Sequence, residues 1–390
     1  MPSVVNPSDL CRKASFCGNG GSMACDTDVF VVGGGPAGLA AAIAARARGL
    51  RVIVADGAKP PIRKACGEGL LPDGLKALGE LGVELRETDG CAFRGIQFED
   101  ERASVCASFP GGLGLGIRRE ILHQRMIERS LDCGVNLLWN TPVTGLWEQG
   151  VVAAGNKIRA RWVIGADGSS SRVRRWSGLE SSAPPRSRCA FRVHHRLAPW
   201  SDFTEVHWGK EAQAYVTPVA EHEVCVVLIS NRRDTRFHEM LVKFPKLAYR
   251  LKGAIQSSVE RGAVTGMFEF KQVHRGSVAL VGDASGSVDA ITGEGLSLSF
   301  RQAIALADAL AAGNLESYHL AHRRLFRRPR IVGNLLLLLD RRSSLRERTM
   351  RALEAAPQLF ERVLAYHVGE TRPLQLTAAS AAFGWRFLTA

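Results

Sequence analysis

The chain has 390 residues, of which 46% are hydrophobic and 23% charged, and its net charge is +13. That composition suits a folded globular protein, and the length allows one large two-lobed domain or two modest ones. The positive balance fits an anionic membrane surface or a phosphorylated cofactor or substrate; no signature supports nucleic acid, and no apolar run approaches the ~20 residues of a membrane span.

Nine cysteines without a CxxC pair or a zinc-like spacing read as reduced thiols of a cytoplasmic protein, with no metal site expected. Residues 1–24 form a polar, Gly/Ser-rich leader expected to be disordered, which absorbs Cys11 and Cys17. The first regular elements follow at once. Val29 to Val32 is a compact strand, and Gly33, Gly35 and Gly38 stand in G-x-G-x-x-G spacing, with Pro36 and Ala37 inside it. An alanine-rich helix and a second strand, residues 51–55, end at Asp56. The first glycine makes a tight turn, the second admits a pyrophosphate to the backbone, and the third lets the helix pack on the strand. The helix N-terminus favours the phosphates, and Asp56 is placed to accept from a ribose. This pattern serves NAD and FAD alike.

Residues 64–75, KACGEGLLPDGL, place Gly67, Gly69 and Gly74 around Cys66 and Glu68, a backbone free to let something come close. Residues 90–117 and 186–270 alternate in the manner of antiparallel strands with one covered face. Between them, IRREILHQRMIERSLDCGV reads as a helix with Ile121, Leu122, Met126, Ile127 and Leu131 on its apolar face and Arg118 and Arg119 in its first turn. Residues 161–176 are a strand ending in Gly165, Asp167 and Gly168, with Ser171 and Arg174 downstream. Val278 to Val281 form another strand, followed by Asp283, a loop with Gly286 and Gly293, and a long apolar helix opened by Gly295 and Leu296. The tail carries ten arginines between 323 and 351 against Asp340 and Glu347, in a pattern resembling two basic amphipathic helices. They read as a solvated cap or as a dock for an anionic membrane.

Taken together, the three glycine-and-aspartate segments resemble the flavoprotein superfamily of para-hydroxybenzoate hydroxylase-type monooxygenases and geranylgeranyl reductases, across residues 28–312. The resemblance implies an α/β fold: a doubly wound, Rossmann-like FAD domain (25–89, 118–185, 271–314), an antiparallel substrate sheet (90–117, 186–270) and a helical C-terminal region (315–390). It implies FAD as cofactor, with Asp283 on the ribityl hydroxyls and the 295–312 helix aimed at the flavin pyrimidine edge. Arg119, Val143 and Asp167 join the cofactor set. Cys66-Gly67-Glu68-Gly69-Leu70 matches a C-G-E-G-L run that lies against the flavin in the reductases, so Cys66, Gly67 and Gly69 are expected to contact it, with Cys66 the candidate for chemistry. Tyr215 and Pro218 are expected at the substrate, with Thr217, His194, His195 and Trp208 as further lining.

The departures divide the subfamilies. Gly286 and Ala290 stand where aromatic hydroxylases carry His and Pro, whereas YVTPVA keeps only the Tyr and Pro of the reductases' Tyr-x-Trp-x-Phe-Pro segment. The leading expectation is monooxygenation of an aromatic or polyketide-like substrate through a flavin C4a-hydroperoxide. The alternative is reduction of isoprenoid carbon–carbon double bonds, and the third is a non-catalytic flavin carrier. One dinucleotide fingerprint makes NAD(P)H a transient reductant, and the basic helices make peripheral membrane contact an expectation.

Overall fold

A computed structural model describes residues 25–180, 187–232 and 235–370; the leader and the last twenty residues lie outside this description. β-Branched runs make the first sheet. Its neighbours run Val278–Leu280, Asn156–Gly165, Thr27–Val32, Val52–Ala55 and Asn136–Leu138, all parallel. Val32 pairs with both Gly165 and Ala55, and Gly165 with Leu280. Parallel strands in register end on one edge, so the turns after three of them, beginning at Gly33, Ala166 and Val281, are forced together. That edge is where open α/β sheets bind ligands. The helix Pro36–Ala47 is buried nearly throughout. Its small alanines let it pack closely between the sheet and the helix Gly295–Ala311.

The second sheet is antiparallel except where Thr204–Trp208 runs parallel to Gly95–Glu99. Its central strands are Ser187–Arg196, Glu223–Ser230 and Ala212–Ala220. One face packs on Phe237, Met240, Phe244 and Leu247 of two short helices. The other carries Tyr215, Trp208, Val227 and Ile229 against Ile291 and against Val332 and Leu336 of the helix Leu315–Arg341. The 90–117 stretch divides. Gly114–Ile117 pairs with Gly90–Phe93 on one side and with Gly69–Leu70 on the other, in a separate small sheet.

One expectation needs correction. Leu131 is exposed rather than on the buried face of its helix Arg119–Asp132, because at 100° per residue it lies opposite Leu122 while Met126 and Ser130 keep the buried face to the last turn. The two basic helices expected of the arginine-rich stretch are Leu315–Arg341 and Ser343–Ala355, and a third helix, Pro357–His367, follows them. The last break falls at Pro357, which lacks the amide to continue the preceding helix.

Candidate active site

The glycine turn separates into positions needed by the protein and positions left open. Gly33 has φ +111°, and a Cβ there would lie 2.5 Å from the Ala166 carbonyl oxygen. A Cβ on Gly38 would run into the Gly33 carbonyl. Gly35 differs: nothing lies within 4 Å of the Cβ it lacks, on the N-terminal side of a 12-residue helix. This is a cradle that a side chain would fill and that a pyrophosphate can enter. Asp56 fixes the turn through both oxygens, accepting from Gly34 N at 2.7 Å and Ala58 N at 2.8 Å. From the other side, buried His123 donates Nε2–H to the Gly34 carbonyl at 2.7 Å, and burial lowers its pKa so that it stays neutral.

At the next turns, Asp167 has both oxygens engaged at the start of the short helix Arg172–Trp176. One accepts from Ser171 Oγ at 2.5 Å, the other from Arg172 N at 2.7 Å and Val173 N at 3.1 Å. These bonds shape the turn. Arg174 then ties this turn to the third one, donating to the Ala284 carbonyl at 3.0 Å. Asp283 is half-exposed and pairs with Lys64 at 2.8 Å. Gly293, with φ +67°, and Gly295 again have nothing within 4 Å of an added Cβ, and neither does Gly67. Four glycines expected to meet the cofactor are thus open, and the 17-residue helix Gly295–Ala311 begins beside two of them. These residues fit FAD. Leu296 follows in the first turn of that helix, and Val143 is buried at the start of its strand.

Beneath that helix start lies a network absent from the sequence reading. Glu294 is fully buried and meets Arg328 at 3.1 Å and His367 at 3.5 Å, while Arg328 also reaches Asp73 at 3.0 Å. The C-terminal helices therefore brace the turn that presents Gly293 and Gly295.

The Cys66–Leu70 turn is built around Glu68, a buried residue in the left-handed region at φ +60°. Non-glycine residues are uncommon there, and such conformations concentrate at functional sites. Its Oε1 accepts from Arg119 N at 3.2 Å, and its Oε2 lies 2.5 Å from Nε2 of His194. Two such groups in contact require a bridging proton. Cys66 Sγ accepts the Glu68 amide at 3.4 Å. Cys225 lies beside the same carboxylate, and burial pushes its thiol pKa well up. The peculiar Glu between two glycines was visible in the sequence; its partner, 126 residues away, was not.

The proposed substrate residues separate by strand alternation. Tyr215, Thr217, Trp208 and His194 lie on the face toward the Cys66 turn and the Leu315–Arg341 helix. Pro218 does not share it: it lines a small crevice with Trp200, Phe203 and Glu205 on the opposite side, one residue out of phase with Thr217. His195 likewise faces away and lies against Phe237. Tyr215 donates to Gln213 Oε1 at 3.2 Å, and burial raises its pKa well above the usual phenol value.

Residues 26–316 match the family described as FAD binding domain. The chain belongs to this family. It is an FAD-dependent oxidoreductase of the superfamily expected from its motifs. The flavoprotein is 27% identical over 329 residues to digeranylgeranylglycerophospholipid reductase 1 of Methanothermobacter thermautotrophicus, covering 78% of this chain and 81% of that one. It is 32% identical over 165 residues to menaquinone reductase of Mycobacterium tuberculosis, covering 38% and 40%. A flavoprotein/dehydrogenase from Cytophaga hutchinsonii shares the fold at a TM-score of 0.78 and 19% identity, over 92% of this chain and all of that one.

Proposed function

We propose that the flavoprotein reduces carbon–carbon double bonds in a hydrophobic, isoprenoid-bearing substrate. The observation that carries this is the Glu68–His194 pair, 2.5 Å apart and buried, in the turn expected to meet the flavin. FAD supplies the hydride; saturating a double bond also needs a proton, and this pair holds one out of water. In this reading Gly35 admits the pyrophosphate to a turn shaped by Gly33 and Gly38, Asp56 and Asp283 meet the sugar and ribityl hydroxyls, and Gly67, Gly293 and Gly295 the ring. Arg119 orients Glu68 through its amide. Similarity to a reductase of geranylgeranyl chains and to one acting on menaquinone supports the same class. NAD(P)H serves as a transient reductant.

Hydroxylation is the second reading, supported by the polar groups Arg188, Gln213 and Tyr215 that meet on the inner face of the sheet. One experiment separates the two. The dithionite-reduced protein is mixed without oxygen with a geranylgeranyl glycerophospholipid or menaquinone, and the product is weighed by mass spectrometry. A gain of two hydrogens is expected. Incorporation of one oxygen from labelled dioxygen in the aerobic reaction, with no anaerobic product, would establish hydroxylation instead.

We also propose that the molecule rests on an anionic membrane through the helix Leu315–Arg341. Among the described residues no helix is long and apolar enough to cross one.

A further inference from the structure

A cavity of about 200 Å³ opens between the turn side of the molecule and the edge of the antiparallel sheet. It is lined by Arg63, Arg118, Arg192 and Arg261, by Ser257, Ser258 and Val259, and by one carboxylate, Glu120. None of these belongs to the residues expected to hold FAD. Two of the four arginines have carboxylates of their own: Arg63 meets Glu120 at 2.9 Å and Arg118 meets Glu223 at 2.6 Å. Of the other two, Arg192 has only the more distant Glu68, and Arg261 has none among the described residues. Arg192 and Arg261 are directly opposed on neighbouring antiparallel strands, an arrangement of like charges that costs stability. Arg192 is only 4% exposed, and its nearest carboxylate, Glu68, stands 4.0 Å away. The Nε of each has no hydrogen-bond partner, and no ion pair joins Arg261 to an acid among the described residues. A buried guanidinium whose one carboxylate stands 4.0 Å away, directly opposed to a second guanidinium, is stabilised by a further anion beside the pair.

We infer that this cavity binds a phosphate ester, held by the Arg192–Arg261 pair and the two serines, on the ligand whose reactive part reaches the Glu68 turn. Planar guanidinium forks match phosphate oxygens bidentately, which favours phosphate over a carboxylate at a site offering two of them. The cavity adjoins the flavin turn through Arg192, which contacts His194 Nδ1 at 2.7 Å. The inference holds whether the bond is reduced or oxygenated. The phosphate comes either from a nicotinamide dinucleotide or from a phospholipid headgroup.

The test uses the FAD-loaded protein beside Arg261→Gln and Arg63→Gln, the second a half-exposed position that tolerates change. Binding of NADPH, NADH, dihexanoyl phosphatidylglycerol and dihexanoyl glycerol is measured by titration calorimetry and by perturbation of the flavin spectrum. Arg261→Gln is expected to keep its FAD and to lose about tenfold or more in affinity for one phosphate ligand, while Arg63→Gln, whose arginine already meets Glu120, is expected to bind like the parent. Loss for NADPH alone, with NADH spared, assigns the dinucleotide 2′-phosphate; loss for NADPH and NADH together assigns the dinucleotide pyrophosphate. Loss for phosphatidylglycerol, with the neutral glycerol lipid unchanged, assigns the headgroup. Unchanged affinity for all four ligands in Arg261→Gln overturns the inference, and so does an equal loss in Arg63→Gln, which would make the effect one of general charge. So does release of FAD by Arg261→Gln in a folded protein, which would make the cavity part of the cofactor site.

Discussion

Glu68 sits in a backbone conformation that glycine would adopt more easily, at φ +60° between two glycines. A carboxylate is kept there because its two oxygens divide the work: one holds the Arg119 amide, the other faces His194. Glu68→Gln preserves the shape and the amide contact but cannot share a proton in the same way. It is expected to retain FAD and to lower turnover about 10²-fold or more. Full activity in the folded variant would remove Glu68 from the chemistry. Cys225 behaves in the opposite sense. Its buried thiol, pushed well above its usual pKa, stays protonated and inert, so proximity to the turn does not make it a nucleophile.

At the level of elements, the helix Leu315–Arg341 links the C-terminal region to the third flavin turn. His322 on this helix is 1% exposed, lies 3.0 Å from Ser285 Oγ and stacks on Phe326. Burial holds its pKa down at about 4, against 6.5 for a free imidazole. Above about pH 6.5 the ring is neutral in folded and unfolded chains alike and adds no pH dependence. Between that point and about pH 4 the unfolded chain takes up a proton that the folded one refuses. Stability therefore falls as pH falls across this interval, by about 3 kcal/mol in total from this group, and levels off below it. Urea unfolding followed across the interval is expected to show this slope, and His322→Gln to flatten it in part; an unchanged slope would place the sensitivity elsewhere.

The same element marks how far the sequence was legible. Strand-turn-helix order, the open glycines and the antiparallel sheet were readable because each rests on local period or on a fixed short spacing. What escaped needed contacts across long separations. His194 on Glu68, His123 under Gly34 and Arg328 on Glu294 carry no local signature. Pro218 and Leu131 failed for a different reason: a one-residue phase decides the face of a strand, and Leu131 falls opposite Leu122 on its helix.

On the scale of the whole molecule, charge and exposed apolar area fall on the same side of one helix. Leu320, Ile331, Leu335 and Leu338 are 43–49% exposed, and at 100° per residue they share one stripe with Arg324 and Arg327. Arg323, Arg341 and Arg342 are exposed nearby. Covering the remaining half of each apolar side chain is worth about 1 kcal/mol, and each arginine near an anionic surface adds about as much. Neither contribution alone gives firm docking; together they favour a lipid surface of negative charge. The protein is expected to sediment with vesicles containing phosphatidylglycerol, to bind pure phosphatidylcholine weakly, and to be partly released by salt. Leu335→Glu is at a solvent-facing position, so it should leave folding and FAD content alone while cutting vesicle binding about tenfold. If the parent protein stays in the supernatant with anionic vesicles, the stripe is a solvated cap and the substrate must come to the enzyme.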